Sequence, residues 1–333
     1  DELARRSSRC ERVRYRGYRD LLSALWRTTR LLWRIRPQTV HAHLLPANIV
    51  GLTAATILRV PQRVYTRHHS TFHHDYALRW VVVDRFLNGL ATHVIAISEN
   101  VHFVLREMER VPESKIRSVC HGFQIEDFDD IAVERLDALR ERHAIRPAYP
   151  VIGIVARYIA WKGIDGIVEA AQMVLREYPE ALFVFASARG DPAVRAVVKT
   201  LPDENYLEIP FESDMFALYQ LFDVYVHTPV DPHIEAFGQT YVEALAARVP
   251  SVFTLSGVGS EFIEDERNAL VVPHRAPMRT AEAILRILGD PALAGRLAER
   301  GRRDVESRFR AQGMVDALEK LYGEHKSDPL RLH

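Results

Sequence analysis

The chain has 333 residues, 47% of them apolar and 26% charged, the composition of a folded globular protein long enough for two domains. Lys+Arg and Asp+Glu both number 44, so no charge excess points to a nucleic-acid partner. The two cysteines, Cys10 and Cys120, are too few for a disulfide framework or a zinc ligand set, which suits a reducing, cytoplasmic setting.

No apolar run approaches the roughly 20 residues that span a bilayer, and no signal peptide is visible. The sequence opens on Asp1 rather than Met, in polar, basic sequence, and we expect a missing N-terminal piece.

In chain order, residues 20–36 come first, crowded with arginine. Leu21, Leu22, Leu25, Trp26, Leu32 and Trp33 could line one side, with Arg27, Arg30, Arg34 and Arg36 around it. Such a side either meets a membrane surface or packs on a sheet, and packing is the commoner outcome. Short apolar runs then alternate with amphipathic stretches, as in a parallel sheet covered by helices. Strands are expected at Thr39 to His43, Arg63 to Thr66, Val94 to Ile97 and Ile116 to Val119. Helices are expected at Pro46 to Leu58, around Trp80 to Gly89 and from Ser98. Arg146 to Pro150 carries two prolines and reads as a linker.

The alternation then restarts. Strands are expected at Val151 to Val155, Leu182 to Ala186, Leu207 to Ile209, Val224 to His227, Ser251 to Thr254 and Ala269 to Val272. A helix is expected at Gly163 to Tyr178, and one long helical tail from Arg279 to about Glu324. The fold class is therefore α/β, with two Rossmann-like halves. Residues 1–146 form the N-terminal domain, which we expect to be incomplete, and 147–310 the C-terminal domain. Residues 311–333 form a helix and tail that could cross back to the first domain. In open α/β sheets ligands sit beyond the carboxyl ends of the strands, so the cleft between two such halves is the expected site.

Two features stand at strand ends. Glu235 and Glu243 bracket Phe237, Gly238 and Gln239, where Gly238 lets a backbone approach a ligand and the following helix offers free N–H groups. Two carboxylates about two helical turns apart can grip separate parts of a hydroxyl-rich ligand. Arg157 and Lys162 flank the turn after Val155, where a guanidinium fork and an ammonium suit a diphosphate. Taken singly, each pair is as often a solvated surface feature. Their common placement in one domain favours a site.

The ordered stretches Ala156-Arg157…Lys162-Gly163, Asp214…Leu218-Tyr219…Asp223-Val224, Glu235-Ala-Phe-Gly…Glu243-Ala-Leu-Ala, Val249-Pro250 and Asn268-Ala-Leu-Val-Val-Pro273 closely resemble the retaining glycosyltransferases of the GT-B fold, in particular glycosyltransferase family 4. The resemblance covers roughly residues 150–275. It is looser in the first half, in Pro37 to His43 and Val94 to Asn100. It implies that Arg157 and Lys162 hold the donor's diphosphate, that Glu235 faces the donor sugar, and that Phe237, Gly238 and Gln239 offer it backbone contacts. Glu243 would bind the ribose hydroxyls, and Ile209 to Glu212, with Ile209 and Phe211, would lie along the base. His68, slightly preferred over His69, would stand near the sugar or acceptor.

The sequence also departs from the family. Ala247-Arg248 replaces a small residue plus Gly, and Cys120-His121 precedes Gly122 where Asn is usual. The family's first strand, helix and strand, with a Gly-rich loop, are not found. The implied activity is transfer of a sugar from a nucleotide-diphosphate donor, UDP favoured, with retention of configuration. The acceptor would be a glycan, lipid-linked or small molecule, and no cofactor or metal is expected. A non-catalytic GT-B nucleotide-sugar-binding protein and a sugar-nucleotide epimerase are the alternatives.

Overall fold

The computed structural model describes residues 10–146 and 149–324, and these form two compact units. Unit 1 gathers the chain up to Ile97, His102–Val119 and the residues from Leu318 onward. Unit 2 gathers Ser98–Val101 and Cys120–Ala317, so the contact boundary falls ahead of the Arg146 to Pro150 segment.

Unit 1 is built on four parallel strands, β1 (Thr39–His43), β2 (Gln62–Arg67), β3 (His93–Ala96) and β4 (Ile116–Ser118), in the order β1-β2-β3-β4. Each crossover is helical or largely helical, as parallel pairing requires. Helix Leu45–Ile57 follows β1 and buries Val50, Leu52, Ala54 and Ala55; helix Arg79–Leu90 lies between β2 and β3. The end of the chain closes the unit. Gln62 Nε2 donates to the Leu321 carbonyl at 2.8 Å, and His41 Nδ1 meets the Tyr322 hydroxyl at 2.5 Å.

Helix Leu21–Ile35 divides its apolar residues between two faces. Leu21, Leu25 and Leu32 are half-buried, while Leu22 is 81% and Trp26 and Trp33 are each 61% exposed. The expectation that these apolar residues line a single side is therefore corrected. Its residues at 22, 26 and 33 recur at helical spacing on the solvent side.

Unit 2 carries six parallel strands: β5 (Val151–Val155), β6 (Leu182–Ala186), β7 (Tyr206–Ile209), β8 (Val224–His227), β9 (Ser251–Phe253) and β10 (Leu270–Val271). Their order is β10-β9-β8-β5-β6-β7. The central strands β5, β6 and β8 are buried along their whole length, which is why they read as unbroken apolar runs. Helix Ile164–Glu177 lays Ile164, Ile167, Val168, Ala171 and Val174 on the sheet as a stripe of three- and four-residue steps.

The single long tail expected from Arg279 is instead three helices, Pro277–Gly289, Pro291–Arg308 and Ala311–Gly323. Pro291 has no N–H for the preceding turn, so the first helix stops. Asp290 then caps the second, its carboxylate accepting from Leu293 N–H at 2.9 Å.

Candidate functional site

Strands β5 and β8 are hydrogen-bonded neighbours at the centre of the unit 2 sheet, and the loops beyond their carboxyl ends carry most of the expected residues. After β5 come Arg157 and Lys162, the latter closing a short helical turn, Ala160–Lys162. Gly163 ends that turn with φ at +72°, and a Cβ there would stand 2.1 Å from the Thr228 carbonyl oxygen. Only glycine lets the two loops approach so closely. That approach brings Lys162 to the loop after β8.

The result is an ion pair. Lys162 Nζ lies 2.5 Å from Glu235 Oε1, with the two side chains 13% and 8% exposed. His227, the last residue of β8, places Nε2 3.3 Å from the same oxygen. Burial by itself would raise the Glu235 carboxyl, but the Lys162 ammonium and His227 hold it down to about 2. Burial also lowers His227, whose side chain is 1% exposed. Lys162 Nζ sits over the Trp161 ring at 4.6 Å from its centroid.

The Glu235 loop is held from several directions within unit 2. Ser256 Oγ accepts from the Glu235 N–H at 3.2 Å. Asn100 Nδ2 donates to the carbonyls of His233 and Glu235, each at 2.8 Å, and Ser98 Oγ donates to that of Ala236 at 2.5 Å. Gly238 adopts φ +84° as the N-cap of helix Gln239–Ala246. The first N–H groups of that helix have no intrahelical acceptor and carry the positive end of its dipole. Gln239 is exposed at its start.

Further along the same helix, Glu243 accepts a 2.9 Å hydrogen bond from the Tyr219 hydroxyl, and burial raises its carboxyl. Arg157 is exposed and has no ion pair among the described residues. Phe211 is exposed, with the Arg189 guanidinium 5.6 Å from its ring centroid.

Two residues of the expected site bury their side chains. Ile209 is fully buried in β7, and its carbonyl accepts from the Ala188 N–H at 3.2 Å, so Pro210 and Phe211 form the exposed part of that segment. Phe237 packs its ring against His121, Phe123 and Phe309, leaving only its backbone for a ligand. In unit 1, His68 follows β2 and its Nε2 lies 3.1 Å from His43 Nδ1. His41 stacks beside His43 with ring centroids 4.2 Å apart. Burial, with the neighbouring His43 and His68, lowers His41 to about 4.

Against known proteins, residues 137–304 match the family model described as Glycosyl transferases group 1, and residues 2–127 match that of Glycosyltransferase Family 4. The chain belongs to the group 1 glycosyl transferases. It is similar to the capsular polysaccharide biosynthesis glycosyltransferase CapM of Staphylococcus aureus, 24% identical over 90% of this chain and 80% of that protein. It is also similar to the alpha-monoglucosyldiacylglycerol synthase of Acholeplasma laidlawii, 25% identical over 85% of this chain and 74% of that one. Among solved structures, Anabaena HepE in complex with UDP-glucose shares the fold with a TM-score of 0.78 at 20% identity, covering 92% of this chain and 84% of that one. The two parallel-sheet domains are thus those of a GT-B glycosyltransferase.

For this glycosyltransferase, the sequence reading missed His227, Tyr219, Asn100 and Ser256 as parts of the site. Tyr219 and Asn100 lie inside the stretches that carry the family resemblance, which was the available signal. His227 had only its place at a strand's carboxyl end. Tyr219→Phe removes the donor to Glu243 and is expected to raise the donor KM about tenfold with little change in kcat, read from initial rates over a donor titration.

Proposed function

We propose that this glycosyltransferase transfers a sugar from a UDP-sugar, with retention of configuration, to a glycan or lipid-linked acceptor. The observation that carries the reading is the Lys162–Glu235 pair at 2.5 Å beyond the ends of the two adjacent central strands, with exposed Arg157 in the same loop region. When a diphosphate binds, Lys162 exchanges part of its contact with Glu235 for the phosphate, and Glu235 turns its freed oxygen to the sugar hydroxyls. Arg157 adds a fork to the same diphosphate. Glu243, held by Tyr219, takes the ribose hydroxyls, and Phe211 lies along the base. In unit 1, His68 is the residue assigned to the acceptor.

In the reaction the sugar C1–O bond to phosphate breaks while the acceptor oxygen joins C1 on the same face. The departing phosphate oxygen takes the acceptor's proton. The protein's work is orientation and stabilisation of the charge on the leaving group. Arg157 and Lys162 supply that charge stabilisation without a metal. The relatives' chemistry agrees with the substrate class, since CapM acts in capsular polysaccharide biosynthesis and HepE binds UDP-glucose. A panel of UDP- and GDP-sugars, each assayed for nucleotide release with and without added Mg²⁺ or Mn²⁺, tests this. One UDP-sugar should be turned over, at a rate indifferent to the added ions. Turnover confined to GDP-sugars, or only with the ions, would overturn the corresponding part.

A membrane-facing acceptor is part of the same proposal. Leu22, Trp26 and Trp33 are exposed on helix Leu21–Ile35 among Arg27, Arg30 and Arg34, also exposed, and the Arg30 guanidinium lies 5.6 Å from the Trp26 ring centroid. This apolar and basic face complements an anionic lipid surface, and we place the enzyme at the cytoplasmic side of the membrane. No helix among the described residues is long and apolar enough to cross a membrane. Co-sedimentation with vesicles containing phosphatidylglycerol is expected and should be lost in Trp26→Ala/Trp33→Ala. Equal sedimentation with purely zwitterionic vesicles, or no effect of the double variant, would remove this contact.

A further inference from the structure

Unit 1 holds a second cluster of ionisable side chains at the carboxyl end of β2. His69 follows the strand, His73 lies in helix Phe72–Tyr76, and Asp84 lies in helix Arg79–Leu90. Asp84 Oδ2 is 3.1 Å from His69 Nε2 and 2.6 Å from His73 Nδ1, and the three potential ligand atoms lie within 4.8 Å of one another. The imidazole rings of His69 and His73 are 4.0 Å apart. Among the described residues this is the group with metal-ligand geometry.

We propose that His69, His73 and Asp84 bind a divalent first-row transition-metal ion, with Zn²⁺ as the best match. Two imidazoles and one carboxylate are a ligand set that such ions take, leaving one position for water. With metal–ligand distances of about 2.0–2.1 Å, tetrahedral ligand atoms stand roughly 3.3 Å apart. The 3.1 Å separation is already close to that, and the 2.6 Å one must open by about 0.7 Å. The ion takes the ring nitrogens that face Asp84, and each neutral imidazole then carries its proton on its other nitrogen.

Two further observations support the site. The supporting groups are in place: Arg67 Nη1 holds the other Asp84 oxygen at 3.0 Å, and Arg67 Nη2 meets Glu109 Oε1 at 2.5 Å. Asp84 and Glu109 share a single guanidinium, all three side chains at most 1% exposed, and the negative charge left over is met by a bound cation or by a proton on the imidazoles of His69, His73 and His74 around them. A bound ion would tie the segment carrying His68 and His69 to helix Arg79–Leu90. Its role is to fix the position of His68, away from the transfer chemistry assigned to Arg157 and Lys162.

The test is Co²⁺ titration of the chelator-treated, full-length chain, followed by visible absorption and by calorimetry. One Co²⁺ per chain with ligand-field bands, displaced by Zn²⁺, is expected. His69→Gln, a change at a half-buried position, should weaken binding about tenfold or more while circular dichroism stays native. His73→Gln gives a second, independent ligand removal. Absence of stoichiometric Co²⁺ binding by the natively folded chain would overturn the proposal, with a proton on an imidazole balancing the charge instead. Binding that survives His69→Gln but is lost in His68→Gln would overturn it too, placing the ion at the His43–His68 pair.

Discussion

Lys162→Ala is expected to reduce turnover on the order of 100-fold or more, the usual cost of removing one well-placed donor to developing negative charge. It should also destabilise the fold. Lys162 and Glu235 are both largely buried, and removing one partner of a buried ion pair costs about 3–5 kcal/mol before relaxation. Protonation of Glu235 limits that cost, which gives the variant a distinctive pH dependence. In the native protein the Glu235 carboxyl is depressed from 4.5 to about 2, so its stabilisation is present above about pH 4.5 and is lost as pH falls towards 2. Without Lys162, burial outweighs the remaining His227 contact and raises that carboxyl above its unfolded value, so the variant gains stability relative to the native protein as pH falls.

The double variant Lys162→Ala/Glu235→Gln separates the two effects. It leaves no uncompensated carboxylate, so much of the lost stability should return, while turnover should not. Thermal unfolding and steady-state rates on the same preparations decide. A double variant that regained turnover would show that Lys162 serves the fold alone.

Arg157→Ala should reduce turnover by a similar factor, on the order of 100-fold, with a different stability outcome. Arg157 is exposed and has no ion pair among the described residues, so its loss should move stability by no more than about 0.5 kcal/mol. Arg157→Lys keeps the charge but not the fork, and should recover only part of the rate. Calorimetry and nucleotide-release kinetics check both variants. A wild-type rate in Arg157→Ala would remove the guanidinium from the diphosphate assignment.

The parallel core was legible because strands buried on both faces read as unbroken apolar runs. Val224 to His227 was placed to the residue, and most other strand ends to within one or two. The helical tail was misread as one run because its amphipathic periodicity continues across Asp290-Pro291. There the ring of one proline and the cap of one aspartate outweigh the periodicity. The apolar residues of helix Leu21–Ile35 were placed on one side, whereas the faces of Leu21 and of Leu22 differ by one helical step of about 100°.

In the candidate site, the glutamate spacing and the placement of cations after β5 could be read directly from residue order. The ion pair between Lys162 and Glu235 could not, since 73 positions separate them and only the register of β5 against β8 brings them together. Ile209 illustrates the converse. A strand-end isoleucine reads alike whether its side chain faces a ligand or the core, and here it faces the core. The cluster of His69, His73 and Asp84 was hidden for the same reason as the ion pair: its members come from three elements.

The central claim is that unit 2 presents an α-linked sugar diphosphate for same-face displacement. The most direct test is proton NMR of the first-formed product from the UDP-α-sugar that the panel selects, read before mutarotation or in transfer to a trapped acceptor. The native protein is expected to give an α-configured product, which is lost in Arg157→Ala. A β-configured first product would contradict that claim.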